Sequence, residues 1–270
     1  MSLTIATFNI WFDSFHLLER CRLIVKEILE QELPIQIITL QEVTPTSFEY
    51  LIKSPLKKMY VFSKKEMTQS YDTLILIHHS LKSNGYIKHQ FTKSLSKMGR
   101  CLEILSVSEK EKGETLRYLV GTSHLESEFR TYQTKLSQFK ESFQILEKIA
   151  TNYDYSLLLF MGDTNIIQQH QRFFEPPETW LDLYQACQPH KSLEYTYDYK
   201  KNDNVRLKKR SRLDRIYYKT CKLNEVWNPI SFGFLGQEPG ADGTYPSDHF
   251  GIVSTMMKVS EQIDPNTTAV

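Results

Sequence analysis

The sequence has few cysteines and no excess of charge of either sign. Its four cysteines, Cys21, Cys101, Cys187 and Cys221, are far apart, and none belongs to a CxxC pair. This spacing argues against a disulfide framework or a thiolate zinc site and predicts reduced thiols. The 33 basic and 32 acidic residues leave a net charge of +1. Any attraction for a polyanion must therefore be local.

Long hydrophobic runs are also missing. No apolar stretch is long enough to cross a bilayer. The N-terminal segment MSLTIATFNIWFD lacks the basic-then-apolar order of a secretory signal. We therefore expect a soluble intracellular protein, nuclear or cytoplasmic, that is not secreted and has no membrane partner.

The apolar content is nevertheless large enough for a sizeable core, since 40% of the 270 residues are hydrophobic. Apolar residues at helical spacing predict amphipathic helices over residues 17–31 and 131–150. A further helix is predicted to begin at Pro45, with Thr44 as its cap. Short strand-like segments fill most of the rest. This pattern favours an α/β or α+β sandwich of two β-sheets with helices outside. With no linker or repeat, we predict one domain over residues 1–258 and a flexible tail over residues 259–270.

Six of the strand-like segments begin or end in polar residues. Taken singly, each such residue has an ordinary structural explanation, as a turn former, a surface acid or a hydrogen-bonded histidine. Strand ends are also where rigid scaffolds present chemical groups, so six of them in one chain point to a shared site. The residues are Asn9, Gln41, Glu42, His124, Asp163, Asn165, Asp214, Asp248 and His249.

The residue types in this set suit hydrolysis with a hard metal ion. Glu42, with oxygen-bearing neighbours such as Asn9 and Asp248, suits Mg²⁺. Asp163 can draw a proton from water while Asn165 holds that water or a phosphate oxygen.

A histidine and a carboxylate complete the predicted chemistry. Asp214 can accept a hydrogen bond from His249 and keep it protonated beside a developing negative charge. The combined set predicts metal-assisted hydrolysis of a phosphate ester.

The order of the motifs FNI, LQEV, SHLES, GDTN, SRLDRIYY and SDHFGI resembles the endonuclease/exonuclease/phosphatase superfamily from Asn9 to Ile252. The segments HLES, GDTN and YTYDY are similar to its 5′-tyrosyl-DNA phosphodiesterase branch. The resemblance implies a four-layered α/β sandwich with two mixed β-sheets packed face to face and helices outside. It also implies a Mg²⁺ or Mn²⁺ cofactor and removal of topoisomerase-type tyrosyl adducts from DNA 5′ ends, preferably single-stranded, in DNA repair.

The resemblance assigns roles to individual residues. Glu42 resembles the metal carboxylate and Asp248 a residue close to the metal. Asp163 resembles the water-activating acid, Asn165 its orienting partner, and Asn9 an asparagine near metal and phosphate.

Other positions resemble phosphate and substrate contacts. His124 and Ser127 resemble phosphate contacts. His249, supported by Asp214, resembles the histidine that stabilises the pentacovalent phosphate. The remaining positions that we expect to bind substrate are Arg130, Tyr197 and Trp11.

Two positions depart from the branch. Trp11 stands where the branch usually has an aspartate, and Ile167 stands where it often has an arginine. Loss of such an arginine would remove a charge-assisted contact worth about 1.5–3 kcal/mol. These departures leave the hydrolytic residues intact and bear on the exact substrate alone.

Residues 199–212 carry seven basic residues and one acid, Asp203. This basic segment predicts contact with a nucleic-acid backbone, although a solvated loop gives the same pattern. Five aromatic residues near the motifs could stack on single-stranded bases or pack in the core, namely Trp11, Phe12, Phe129, Tyr132 and Tyr197. We expect core packing for Phe12, which lies near the end of a buried strand.

The sequence leaves three alternative functions. The first is the tyrosyl-DNA phosphodiesterase, acting as a monomer. The second is another metal-dependent phosphoesterase of the superfamily, either a general nuclease or a sphingomyelinase-like lipid phosphodiesterase. The third, a non-catalytic binding module, conflicts with the intact set of polar residues.

Overall fold

The computed structural model describes residues 1–91, 98–111, 113–127, 132–222 and 225–260. The strands within these ranges are β1 (Ser2–Asn9), β2 (Ile37–Val43), β3 (Tyr60–Phe62), β4 (Asp72–His78), β5 (Lys82–Gln90), β6 (Cys101–Glu111), β7 (Glu114–Thr122), β8 (Leu157–Asp163), β9 (Leu181–Asp182), β10 (Tyr197–Asp198), β11 (Arg210–Ser211), β12 (Asp214–Thr220), β13 (Glu225–Pro229), β14 (Gly233–Leu235) and β15 (Gly251–Ser260). The α-helices are α1 (Leu17–Leu29), α2 (Pro45–Lys53), α3 (Leu56–Met59), α4 (Tyr132–Ala150) and α5 (Leu183–Cys187).

Two mixed sheets contain most of these strands. The first has the order β13-β15-β1-β2-β4-β3, with β14 also paired to β15. The second has the order β5-β6-β7-β8-β12-β9. In each sheet one central pair is parallel, β1 with β2 and β7 with β8. Strands β10 and β11 form a separate two-stranded ribbon.

Three apolar cores separate four layers. Leu3 and Ile5 of β1 and Leu159 of β8 belong to a core formed by the two sheets. Phe8 of β1 belongs to a second core with residues of α1 and α2. A third core joins α4 to the second sheet through Phe139. Alternate residues of a strand thus serve different cores, and both faces are covered, which is why the central strands are nearly continuous apolar runs. The predicted four-layered sandwich is confirmed.

The topology brings the predicted polar residues to one end of the sandwich. Strands β1 and β2 are parallel and in register at Asn9 and Gln41, so their carboxyl ends meet. Strand β12 runs antiparallel to β8 and places Asp214 opposite Asp163. The carboxyl ends of β1, β2 and β8 therefore lie with the amino end of β12.

Local predictions hold for the helix after β2 and differ elsewhere. The side chain of Thr44 accepts a hydrogen bond from the Ser47 N–H at 3.1 Å, and Pro45 is the first residue of α2. The basic segment, residues 199–212, is not all loop, because it contains β11, which pairs with β10. Strands β13 and β14 were not predicted.

The last strand runs past the predicted domain boundary. Strand β15 continues to Ser260, two residues beyond the predicted domain boundary, because Val259 still pairs with Val226 of β13. The rest of the predicted tail, residues 261–270, lies outside the described residues. No helix in the described ranges is long and apolar enough to span a membrane.

Candidate active site

One amide group connects two of the predicted acids. The Asn9 Nδ2 atom donates to Oε1 of Glu42 at 3.1 Å and to Oδ2 of Asp163 at 2.9 Å. The carboxylates of residues 42 and 163, which are 121 positions apart in the sequence, therefore lie on either side of one side chain. The predicted convergence of these strand ends is what the structure shows.

Asp163 is buried and held from several directions. Its Oδ1 accepts the Asn165 N–H at 2.8 Å, and the Asn165 side chain donates to the Leu125 carbonyl at 3.1 Å. Burial favours the neutral carboxyl, but the charge of the neighbouring His249 and the hydrogen bonds from Asn165 and Asn9 outweigh it, so the pKa of Asp163 is lowered. Asp163 is thus an ionised carboxylate with a fixed orientation.

His124 and His249 flank Asp163 with opposite electrostatic character. His124 Nε2 lies 3.4 Å from Asp163 Oδ2, and its Nδ1 lies 3.1 Å from Nη1 of Arg100. Burial, together with the Arg100 charge, lowers the pKa of His124 to about 3. This histidine is therefore neutral near pH 7.

His249 is the protonated member of the pair. Its Nδ1 lies 2.8 Å from Oδ2 of the buried Asp214, and its Nε2 lies 4.0 Å from Asp163. Burial alone would lower the pKa of His249, but the Asp214 carboxylate raises it well above the ordinary value. The arrangement matches the predicted support of His249 by Asp214.

The donor atoms at this end of the sandwich suit a divalent cation. Ligand atoms of Glu42, His124 and Asp163 lie within 4.8 Å of one another, and so do those of Asp163, Asp214 and His249. Asp248 belongs to neither group. It is partly buried and adjoins His249 in the sequence. Burial raises the pKa of Glu42 to about 7 and also raises the pKa of Asp248. Crowded acids of this kind gain stability when a cation neutralises them.

Three strand-end residues adopt left-handed backbone angles. Trp11, Glu42 and Asn165 have φ values of 61°, 60° and 52°. Such angles are uncommon for residues with a side chain and cluster at functional sites. Here they turn the chain at the points where Glu42 and Asn165 must face the pocket.

A cavity of about 340 Å³ opens over these groups. Ser127 and Tyr197 line it as predicted, and Tyr197 packs with its ring centroid 5.2 Å from that of His249. Leu207 and Lys209 of the basic segment line the same cavity. Their exposed side chains place part of this segment at the mouth of the site. Arg130 lies outside the described residues.

Trp11 and Phe12 differ from expectation in their exposure. Trp11 is 8% exposed, beneath the guanidinium groups of Arg20 and Arg206, so its role as a substrate contact stays a prediction. Phe12 is 50% exposed and stacks on Tyr71. Its predicted core position is wrong, because the left-handed turn at Trp11 takes the chain out of the strand before Phe12.

Two cationic residues of the site were not predicted. Arg100 contacts His124, and the buried Lys135 donates to the Asn165 carbonyl at 2.7 Å. Lys135 lies one turn before Phe139 on the apolar face of α4, which was the available signal for a buried lysine. No sequence signal distinguishes Arg100.

The fold and the site together define a class of protein. A four-layered sandwich that gathers acids, amides and two unlike histidines at its strand ends has the architecture of a phosphoesterase scaffold. A model of the Endonuclease/Exonuclease/phosphatase family matches residues 6–249. The chain belongs to this family.

Curated relatives and solved structures narrow the likeness. The chain is 30% identical over 226 residues to Tyrosyl-DNA phosphodiesterase 2 of Bos taurus, covering 82% of this chain and 58% of the relative. It is 28% identical over 226 residues to that of Homo sapiens, covering 82% of this chain and 59% of the relative. The chain thus spans less than two thirds of the length of these relatives.

The structure of D. rerio TDP2 complexed with single strand DNA product superposes with a TM-score of 0.81 at 27% identity, covering 95% of this chain and 99% of that chain. TDP2 from C. elegans superposes with a TM-score of 0.82 at 24% identity, covering 95% of this chain and 75% of that chain. The second likeness bears on the fold alone.

Proposed function

We propose that the chain is a Mg²⁺-dependent phosphodiesterase that removes 5′-phosphotyrosyl adducts from DNA ends in DNA repair, leaving a 5′ phosphate. One observation supports this most. Glu42 and Asp163 both accept hydrogen bonds from the Asn9 side-chain amide, and His249 Nε2 lies 4.0 Å from Asp163. The likeness to Tyrosyl-DNA phosphodiesterase 2 supports the substrate class. We propose single-stranded 5′ ends as partner because the D. rerio neighbour holds a single-strand DNA product.

The proposal also covers the oligomeric state of the protein, its location and its cysteines. We propose that it acts as a monomer inside the cell, in the nucleus or cytoplasm, with its four cysteines as free thiols.

The donor set fits Mg²⁺, and Mn²⁺ would suit the same ligands. Glu42 would hold the cation, with the nearby Asp248 as a further oxygen donor, since Asn9 Oδ1 already accepts the Trp11 N–H and its Nδ2 faces Glu42. Oxygen ligands select these hard ions over zinc or copper. When bound, the cation would polarise a phosphate oxygen and offset its charge.

The protein's own groups would activate water. Asp163, ionised and held at both oxygens, would accept the proton of a water molecule that Asn165 orients. As the water oxygen bonds to phosphorus, the P–O bond to tyrosine breaks. A tyrosine phenol with an ordinary pKa of about 10 leaves more readily than an alcohol.

The two histidines would act on the phosphate in different ways. Protonated His249, held by Asp214, would donate toward a phosphate oxygen that gains charge in the transition state. Neutral His124, with Arg100 behind it, would position another oxygen, and Ser127 would contribute a hydroxyl. Arg130 remains a proposed DNA contact.

The basic segment would guide the nucleic acid. Lys209 and Leu207 line the cavity on the side of Tyr197, where a base could stack and a phosphate could find a cation. Ile167 lines the same cavity and supplies no charge in place of the arginine that the branch often has.

A substrate panel tests the proposal. The protein with Mg²⁺ is incubated with a 5′-phosphotyrosyl oligonucleotide, plain single-stranded DNA, abasic duplex DNA and sphingomyelin vesicles. We expect fastest turnover of the tyrosyl oligonucleotide. No turnover of it, with good turnover of another ester, would reject the substrate class and keep the phosphoesterase.

One observation favours a lipid phosphodiesterase as a second candidate. Phe12 and Phe15 are 50% exposed and Leu18 is 58% exposed beside the site. Exposed apolar side chains at a site mouth suit contact with a lipid surface. Turnover on vesicles without turnover on oligonucleotides would select this candidate.

A further inference from the structure

The loop between β1 and α1, residues 10–16, uses consecutive backbone amides to hold two side chains of the site. The Trp11 N–H donates to Oδ1 of Asn9 at 3.0 Å. The Phe12 N–H donates to Oε2 of Glu42 at 2.9 Å. Because Asn9 Oδ1 is committed to this bond, its Nδ2 faces Glu42 and Asp163. The backbone of this loop therefore sets the rotamers of Asn9 and Glu42.

One buried arginine side chain, that of Arg20, holds the loop in place. Nη2 of Arg20, in the first turn of α1, donates to the Trp11 carbonyl at 2.6 Å and to the Asp13 carbonyl at 2.9 Å. Its Nη1 donates to the Phe15 carbonyl at 3.0 Å. The Arg20 side chain is fully buried, and its guanidinium carbon lies 4.4 Å from the Trp11 ring centroid. The planar guanidinium donates to these three carbonyls from two nitrogens in a fixed fork, a geometry that the single nitrogen of a lysine does not reproduce.

Stability alone does not require an arginine at this position. A buried charge costs desolvation free energy, and well-packed apolar residues often replace buried charged groups without loss of stability. What an apolar residue could not do is fix the path of three carbonyls, and with them the two amides that face Asn9 and Glu42. The Arg20 charge also interacts with the charges of Asp248 and Glu42.

The same loop contacts the basic segment. Arg206 lies 2.8 Å from Asp13 Oδ2 and has a side chain that is 69% exposed. An exposed ion pair of this kind contributes little stability. The loop path therefore depends on Arg20, and Arg206 adds a contact at the surface.

We propose that Arg20 is a positioning residue of the active site, which fixes the metal carboxylate Glu42 and the amide of Asn9 through the backbone of residues 10–16. Its effect on turnover rests on the proposed function, whereas its effect on metal affinity does not. Residues that orient a metal ligand from outside the ligand set typically affect metal affinity or activity by about 10–100-fold.

Titration of the full chain with Mn²⁺, by calorimetry and by electron paramagnetic resonance without substrate, tests this role. We expect Arg20→Met to weaken Mn²⁺ binding by about 10–100-fold. Arg20→Lys, which keeps the charge but replaces the two-nitrogen fork by a single nitrogen, should recover only part of that loss. Arg22→Met on the same helix, where Arg22 is exposed and pairs with Glu19, is the matched control and should bind Mn²⁺ like wild type. A folded Arg20→Met variant with wild-type Mn²⁺ affinity would overturn the proposal.

A second pair of variants decides the case if Arg20→Met does not fold. Phe12→Pro removes the N–H that faces Glu42, whereas Phe12→Ala keeps it and removes only the ring. Weaker Mn²⁺ binding by the proline variant than by the alanine variant supports the proposal, and equal binding overturns it. If wild type binds Mn²⁺ but cleaves none of the four panel substrates, the proposed function fails while the metal titration still tests Arg20.

Discussion

Asp163 is the residue on which the proposed chemistry depends most directly. Asp163→Asn keeps the shape and the hydrogen bond from the Asn165 N–H but cannot accept a proton from water. Because a positioned general base contributes about 10²–10⁴-fold, we expect turnover of a tyrosyl oligonucleotide to fall by about that factor.

Binding and a control variant separate this role from a folding effect. DNA affinity of Asp163→Asn, measured by fluorescence anisotropy, should stay within about threefold of wild type. Asp154→Asn changes an aspartate whose side chain is 68% exposed and should leave the rate unchanged. Full activity of Asp163→Asn would remove the assigned base.

Glu42 should make metal affinity depend on pH. Burial raises the pKa of Glu42 to about 7, so below that pH a cation must displace a proton to bind. We expect apparent Mg²⁺ affinity to rise with pH between about 6 and 8 and to level off above the pKa, with protons released on binding below it. Calorimetry in buffers of different ionisation enthalpy measures the released protons. Affinity that does not change across this range would contradict Glu42 as the ligand, and Glu42→Gln should remove most of the pH dependence.

Strand β8 passes very close to the residue before His124. Gly162, inside the GDTN motif, has a φ of 147°, and a Cβ atom added there would lie 2.1 Å from the Ser123 carbonyl oxygen. Both the backbone angle and the contact exclude a side chain. We expect Gly162→Ala to lower the free energy of unfolding by about 1–3 kcal/mol or more, measured by urea denaturation.

A glycine elsewhere in the sheet provides the comparison. Gly85 of β5 has an ordinary φ, and a Cβ there would meet no atom within 4 Å. Gly85→Ala should therefore change stability by less than about 1 kcal/mol. Equal effects of the two substitutions would show that close approach of β8 to Ser123 is not what the glycine is for.

The helices and strands were easier to predict from the sequence than the buried side-chain contacts that fix the loops between them. Periodicity and capping identify α1, α2 and α4, and the polar residues that end strands identify most of the site. Arg20 and Lys135 escaped because each lies on a helix where a cation ordinarily faces solvent. Their partners are backbone carbonyls, of the preceding loop for Arg20 and of Asn165 for Lys135, and no local pattern encodes those contacts.

Exposure at the site mouth was equally hard to predict. Phe12 follows a buried strand, and only the left-handed angle at Trp11 shows that its ring leaves the core. The pairing of β10 with β11 depends on how a long polar segment folds back. Such features depend on tertiary context that outweighs local preference.

At the scale of the whole molecule, the charge is nearly balanced, so affinity for nucleic acid should come from the basic segment. Lys208 and Lys209 are exposed, whereas Arg210 lies 3.0 Å from the buried Asp198 and also has a structural role. We expect Lys208→Ala with Lys209→Ala to weaken binding of single-stranded DNA and to reduce the slope of log K against log salt by roughly 0.7 per lost phosphate contact.

A double variant of equal charge change provides the control. Lys57→Ala with Lys58→Ala alters two exposed lysines of α3. It should leave the salt slope close to that of wild type. Equal losses from the two double variants would mean that overall charge, and not the basic segment, governs DNA binding.

The central claim is that distant polar strand ends meet so that water cleaves a P–O bond at a DNA 5′ end. Cleavage of a 5′-phosphotyrosyl oligonucleotide in ¹⁸O-labelled water, with Mg²⁺ and with EDTA, tests it most directly. We predict Mg²⁺-dependent release of unlabelled tyrosine and one ¹⁸O atom in the 5′ phosphate. Label in the tyrosine hydroxyl, an equal rate in EDTA, or no release of tyrosine would contradict the account.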